Sequence, residues 1–255
     1  MIALDAFAAD AAIRHAFFTR QGGVSEGTFQ SLNCGFGSGD PPQAVARNRA
    51  IAMQHLDIPA ERLVTCRQVH SAAVVAVAAP WRREDAPRAD GLATRVPGIA
   101  LGILAADCAP ILVCDPVARV IGAAHGGWRG ALGVVVEATI AAMAAMGAAP
   151  RQIRAAIGPC IGPLSYEVGA EFPAPILAED AAARVFFADM PQRGRHLFDL
   201  AGYVEHRLRR AGITEVHRAG HDTVAEEALF FSYRRACRRG EATYGRALSA
   251  IVLDG

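Results

Sequence analysis

No two of the six cysteines stand in a Cys-x-x-Cys pair, which argues against a zinc ribbon or a dithiol redox centre. An excess of one charge is missing too. The chain has 26 basic and 25 acidic residues, so it offers no general electrostatic case for binding nucleic acid. Aromatic residues are few, at 7%, and much of the apolar content is Ala, Val, Ile and Leu, which suit tightly packed helices and sheets. The most apolar stretch, Gly98 to Cys114, is broken by Asp107 and Pro110, making it a poor membrane span. The first residues, MIALDAFAADAAIRHAFF, carry Asp5 and Asp10 and lack the basic start and apolar run of a signal peptide. The expectation is a cytoplasmic protein with reduced thiols and with neither nucleic acid nor membrane as a partner.

What is present fits a folded enzyme-sized chain. At 255 residues, with 52% hydrophobic content, 25 Gly and 14 Pro, the sequence can bury a substantial core and has many turns. No linker or repeat divides it, so residues 1–255 read as a single domain. Asp40, Pro41 and Pro42 make an entry to a helix over QAVARNRAIAMQHL, with Val45, Ala52, Met53 and Leu56 on its buried side. Strands are expected over LVTCRQVH, AAVVAVAA, IALGILAAD, APILVCD and RVIGAAH. ALGVVVEATIAAMAAMG reads as a buried helix, although its valine triplet opposes that. QIRAAI, ITEVHRAG and RALSAIVL read as later strands. Asp199 caps a helix that carries Leu200, Tyr203, Val204 and Leu208 on one face and stops at Gly212. Alternation of strands and helices makes the fold class α/β: a mixed sheet with helical layers.

His70, Cys108 and His125 each stand where a strand-like segment meets a turn, and such junctions commonly point side chains into one pocket. Two imidazoles and a thiolate make a good zinc set with one position left for water or substrate. The residues alone also allow a Cys108–His125 nucleophilic pair, or ordinary packing. Glycines follow His125 in HGGWRG and permit close approach by a ligand. Trp128 offers a flat face for a ring, or packs in a core, and Arg129 can pair with a phosphate. GFGSGD lacks the P-loop lysine and the dinucleotide spacing, so it reads as a plain turn. GPCIG lacks the second cysteine of the zinc-deaminase element, and that signature is rejected. The late arginines Arg234, Arg235, Arg238 and Arg239 read as a solvated run from which one or two can serve an anion site.

Taken in order, LNCGFGSGDPPQAVARNR, CRQVH, AADC, AAHGGWRG, IGPCIG, YEVG, FDL and FFSYRR cover the chain nearly end to end. Together they resemble the family once called multicopper polyphenol oxidases or laccases, now described as broad-specificity purine nucleoside phosphorylases and including peptidoglycan-editing factors. The resemblance implies a mixed α/β sandwich with a cysteine hydrolase-like fold and zinc held by His70, Cys108 and His125. It also implies phosphorolysis of adenosine, inosine, guanosine and methylthioadenosine to base and ribose 1-phosphate, with deamination of adenosine. The partners it implies are purine nucleosides and inorganic phosphate.

Beside a metal ligand, Asp107 is the candidate acid/base group or an anchor for that ligand. Arg49, Arg129 and Arg234 are the candidate phosphate contacts, since guanidinium groups match phosphate oxygens. Asn48, Tyr166 and Trp128 are further pocket candidates, and Asp222 can orient a ligand histidine or touch ribose hydroxyls. Two departures stand out. Ser71 replaces the glycine of QVHG, and Asp222-Thr223 replaces a Cys-Thr pair ahead of FFSYRR. The alternatives are a copper-dependent polyphenol oxidase, a peptidoglycan precursor-editing enzyme and a non-catalytic zinc-stabilised interaction protein. True multicopper chemistry needs many histidines, and the chain has 8 with no His-x-His pattern.

Overall fold

Strands form where Val, Ile, Leu and Ala run uninterrupted between turn-forming residues. The computed structural model describes residues 1–4, 7, 12–127 and 134–255. The first half holds β1 (Ile13–Phe17), α1 (Pro42–Gln54), β2 (Leu63–Val64), β3 (Val74–Ala76), β4 (Gly91–Thr94), β5 (Ala100–Ala105), β6 (Ala109–Asp115) and β7 (Val120–Gly126). There follow α2 (Val135–Ala145), β8 (Arg154–Ile157), β9 (Glu167–Val168), α3 (Pro173–Glu179), β10 (Phe187–Met190) and β11 (Arg195–Phe198). The chain ends with α4 (Leu200–Arg210), β12 (Glu215–Arg218), α5 (Tyr233–Arg239) and β13 (Ala247–Leu253).

The strands assemble into a four-stranded sheet β1-β13-β5-β2, a six-stranded sheet β12-β8-β6-β7-β4-β3 and a small sheet β10-β11-β9. Both larger sheets are mixed, with β2 parallel to β5, β3 to β4 and β12 to β8. They share one apolar cluster: Leu101, Ile103 and Ile251 of the first meet Leu112, Ile121 and Ala123 of the second. A second cluster joins Ala52 and Met53 of α1 to Leu248, Ala250 and Val252. A third joins Val135 and Ile140 of α2, and Tyr203, Val204 and Leu208 of α4, to Ile111, Val113 and Ile157. Each such Val, Leu or Ile contributes about 1.5–3 kcal/mol by burial. Every residue of β6 and β7 is buried, as expected of strands covered on both faces. This is the mixed α/β architecture that the sequence pattern predicts.

Local signals explain the helix ends. Pro42 occupies the first turn of α1, where its missing N–H costs nothing. The Asp199 carboxylate accepts the Gly202 amide at 2.8 Å and so caps α4. Gly212, at φ +92°, ends the turn that follows it. One predicted strand is cut short. Residues 63–70 read as a strand, but only Leu63–Val64 joins the sheet, because the amides of Val69, His70 and Ser71 turn to the Asp90 carboxylate instead. Residues 131–133 of the predicted helix lie outside the described residues, and the described part begins at Val135. Among the described residues no helix is long and apolar enough to cross a membrane.

Candidate metal centre

Sheet register brings the site together. On β7, His125 pairs with Pro110 of β6, so Cys108 comes alongside just ahead of that strand. On the other side, β7 pairs Ala124 with Gly91 of β4, placing Asp90 next to His125. Asp90 then draws in the third segment. Its carboxylate accepts the amides of Val69 at 3.1 Å, His70 at 3.0 Å and Ser71 at 2.7 Å, and the Ser71 hydroxyl at 2.9 Å. His70 is held there at φ +59°, a left-handed conformation uncommon for a non-glycine residue. The Gln68 side chain ties the same loop to β5, exchanging hydrogen bonds with Leu104 N at 2.8 Å and Leu104 O at 2.7 Å.

The three expected ligands converge. Donor atoms of His70, Cys108 and His125 all lie within 4.8 Å of one another, and His70 Nε2 is 3.8 Å from Cys108 Sγ. Tetrahedral zinc bonds of about 2.0–2.3 Å put donors roughly 3.3–3.6 Å apart, so about 1 Å of adjustment closes the set. The space between the donors is kept clear by Gly127. A Cβ there would fall 2.4 Å from His70 Cδ2, 2.9 Å from His70 Nε2 and 3.2 Å from Cys108 Sγ. Asp90 Oδ1 sits 2.9 Å from His125 Nδ1, which assigns the proton to that nitrogen and leaves Nε2 as the ligand atom.

The electrostatics favour a cation. Burial raises the Cys108 thiol, but His125 and His70 outweigh it and hold the group down to about 6. Burial also opposes charge on His125, while the Cys108 sulfur and the Asp90 carboxylate raise it to about 9. Asp90 itself is buried, yet the bonds from His125, Ser71 and Val69 keep it well below the usual carboxylate range. The thiolate is the metal-binding form of cysteine, and a divalent ion takes the place of a proton on the imidazole.

Asp107 sits at φ +86° between β5 and β6, next to Cys108. Its buried carboxylate accepts Thr223 Oγ1 at 2.7 Å, Ser232 Oγ at 3.0 Å and Arg234 N at 2.6 Å. Burial raises its pKa against those three bonds. Ser232 also caps α5, so Asp107 joins the turn that carries the candidate ligand Cys108 to the start of that helix.

A cavity of about 1080 Å³ opens over the centre. It is lined by the three candidate ligands and Asp107, by three of the expected contacts, Arg49, Tyr166 and Arg234, and by Gly35 and Phe36 of the segment read as a plain turn. Arg49 donates to Cys34 O at 2.9 Å and to Thr65 Oγ1 at 3.2 Å. Arg234 donates to Glu167 O at 2.9 Å, with its guanidinium 5.5 Å from the Tyr166 ring centre.

Two candidates sit away from the lining. Asn48 is fully buried beneath it, donating to Ser25 Oγ and Asn33 O, both at 2.8 Å. Asp222 accepts Gly162 N at 3.0 Å, Ser165 Oγ at 2.6 Å and Val224 N at 2.9 Å, which ties down the turn after Cys160. Trp128 and Arg129 lie outside the described residues. Of the late arginines, Arg235 is spent on the carbonyls of Thr223 and Val224, and Arg239 pairs with Glu227.

Residues 14–254 match the family described as the multi-copper polyphenol oxidoreductase laccase. The chain belongs to that laccase family. Its relatives include a purine nucleoside phosphorylase of Streptomyces coelicolor, 39% identical over 240 residues that cover 93% of this chain and 94% of the relative. Another, from Deinococcus radiodurans, is also named a purine nucleoside phosphorylase and is 41% identical over 88% of this chain and 84% of its own. Among solved structures, a Neisseria meningitidis protein superposes with a TM-score of 0.86 at 37% identity, covering 96% of both chains. YfiH of Bacillus licheniformis gives 0.89 at 31% identity, over 95% of this chain and 93% of its own.

The laccase-family departures have structural accounts. Ser71 supplies two of the four hydrogen bonds that join the His70 loop to Asp90. Asp222 holds a turn rather than facing the cavity. Asp90 was missed by sequence reasoning. It lies in the polar stretch PRADG, and only the register of β4 against β7 shows its importance. Gly23 to Gly27 also carries the Gly-x-Ser-x-Gly spacing of a nucleophile elbow. Ser25 there is buried and donates to Asp40 at 2.6 Å, in a turn rather than between strand and helix.

Proposed function

We propose that this laccase-family chain is a zinc-dependent purine nucleoside phosphorylase acting on adenosine, inosine, guanosine and methylthioadenosine, and that it also deaminates adenosine to inosine. The observation that carries this reading is a His-Cys-His donor set opening into a cavity that also presents guanidinium groups. A cavity of that size is at the upper end of what small-molecule sites use and has room for a nucleoside beside an anion. The relatives named purine nucleoside phosphorylases support the same assignment.

Zinc held by His70, Cys108 and His125 would supply Lewis acidity and activate water at neutral pH. The chain's own residues do the rest. Asp90 orients His125 and the His70 loop. Asp107 fixes the turn that carries Cys108 and, as a residue lining the cavity, is the candidate proton-transfer group. Arg49 and Arg234 retain N–H groups for phosphate oxygens beyond the bonds that position them. Tyr166 adds an aromatic surface beside Arg234.

A multicopper oxidase has less support here. Of the six other histidines, His15 accepts Leu4 N, His55 packs against Phe18, His196 meets Asp189, His206 meets Asp180, His217 meets Glu215 and His221 meets Glu226, and none lines the cavity. The deciding assay follows products from adenosine and inosine with and without inorganic phosphate, alongside metal analysis. Adenine and ribose 1-phosphate report phosphorolysis, whereas inosine and ammonia report deamination. Turnover by neither route, or full activity in metal-free Cys108→Ala protein, overturns the assignment.

A further inference from the structure

The cavity has a cationic wall that the metal centre does not use. Arg49, Arg83 and Arg246 line it, and none has a carboxylate partner among the described residues. The chain contains no lysine, so these arginines carry the positive charge of this wall. The guanidiniums of Arg49 and Arg83 lie 4.5 and 4.3 Å from the centre of the same Phe36 ring. Contact with the ring offsets part of their mutual repulsion but provides no counter-ion. Burial, with Arg83 beside it, pulls the Arg49 pKa down to about 10, partly countered by Cys34, so Arg49 stays charged at neutral pH.

Arg246 completes the wall. It precedes β13, where the pairing of Ala247 with Ala105 sets it alongside the turn that carries Asp107 and Cys108. Its stem lies on Gly35, where a Cβ would come within 3.1–3.3 Å of three Arg246 carbons. Its guanidinium is 4.6 Å from the Tyr244 ring centre and donates to the Tyr244 hydroxyl at 3.2 Å. The remaining terminal nitrogen, Nη1, is shielded from solvent and finds no acceptor among the described residues. A charged N–H in that state is costly unless an acceptor arrives. Glu84 also lines the cavity, but its side chain pairs with none of the three. Several guanidinium forks without anions match a tetrahedral oxyanion carrying two charges better than a single carboxylate.

We propose that Arg246, together with Arg49 and Arg83 about Phe36, forms a subsite for a phosphate-type dianion. The ligand is either free orthophosphate or the phosphate of a nucleotide. Its role as the phosphorolytic co-substrate rests on the nucleoside reading above, whereas the binding itself does not.

The test uses the full-length zinc-loaded protein with Arg246→Met, Arg246→Lys and, because Arg83 is exposed, Arg83→Met. Calorimetric titrations with inorganic phosphate, AMP and adenosine are run at one ionic strength, with unfolding midpoint and zinc content as checks on folding. Arg246→Met and Arg83→Met are each expected to weaken phosphate binding about 10- to 100-fold, with partial recovery in Arg246→Lys. If orthophosphate affinity is unmoved but the preference for AMP over adenosine is lost, the subsite holds and its ligand is a nucleotide phosphate. Unchanged affinity for both anions in the folded variants overturns the proposal, as does a wild-type protein that binds neither. Phosphate binding that is lost in the variants while wild-type protein cleaves no nucleoside supports the subsite and sinks only the phosphorolysis reading. Phosphorolysis with the same phosphate KM in wild type and variants, together with an unchanged preference for AMP over adenosine, sinks the subsite alone.

Discussion

The Asp90 carboxylate binds His125 Nδ1 at 2.9 Å through one oxygen while holding the backbone of the His70 loop through both. One side chain therefore sets the tautomer of one candidate ligand and the position of another. Removing it releases two of the three donors at once. Asp90→Asn keeps the shape but loses the charge and part of the acceptor capacity. It is expected to lower zinc affinity about 10- to 100-fold, with a larger loss in Asp90→Ala. Competition against a chromophoric chelator measures this, and an unchanged affinity in Asp90→Ala would refute the coupling.

Gly127 makes a sharper steric prediction. An alanine methyl would fall inside contact distance of both His70 and Cys108, and the nearest atoms belong to rings and sulfur that are themselves constrained. Gly127→Ala is expected to expel the His70 ring and cut zinc occupancy well below one per chain, while the thermal unfolding midpoint changes little by comparison. Metal analysis after dialysis reads the outcome. Full occupancy in the variant would mean that the ligands do not close around that space.

Asp222 is where the laccase-family pattern and this chain differ, and its bonds point to stability. Its carboxylate takes two amides and a hydroxyl that would otherwise be unsatisfied near the Gly162 turn. Asp222→Ala is expected to cost about 1–3 kcal/mol in urea unfolding. Asp222→Cys, which restores the family residue, is expected to cost a similar amount here because a thiol is a weak acceptor. A variant as stable as wild type would refute the stabilising role of these bonds.

Much of this was legible in sequence, and the reasons are local. Residues 200–210 repeat an apolar face at helical spacing between an Asp cap and a glycine stop, and β6 and β7 are unbroken apolar runs. His70, Cys108 and His125 were chemically permissible as a set, but only ordered motifs selected them from eight histidines and six cysteines. Asp90 was invisible, because its partners come from residues 69–71 and 125 and meet only through sheet register. The small sheet was missed for another reason. Its strands span two to four residues, too few for a period to show, and Phe187 and Phe198 hold it by stacking at 4.7 Å. α5 escaped because its sequence YRRACRR has no apolar stripe, and its start is fixed by Ser232 and Asp107.

The last prediction concerns acid. His15 Nε2 accepts the Leu4 amide at 3.0 Å, and the ring lies edge-on to Phe7 at 4.7 Å. Burial lowers its pKa from 6.5 to about 4, so the folded protein holds this imidazole neutral where the unfolded chain would protonate it. Between those values the unfolded state binds more protons, and stability therefore rises with pH. The contribution is complete above the unfolded value and is lost as pH falls toward the folded one. After discounting for partial exposure, the loss is about 1–2 kcal/mol. Carboxylates also titrate on the way down, so the useful quantity is a difference between two proteins. His15→Gln can still accept the Leu4 amide but has no proton to gain. Urea midpoints at about pH 7 and about pH 4 should therefore fall more in wild type than in His15→Gln. Equal falls would show that the ring at position 15 is free to protonate in the native state.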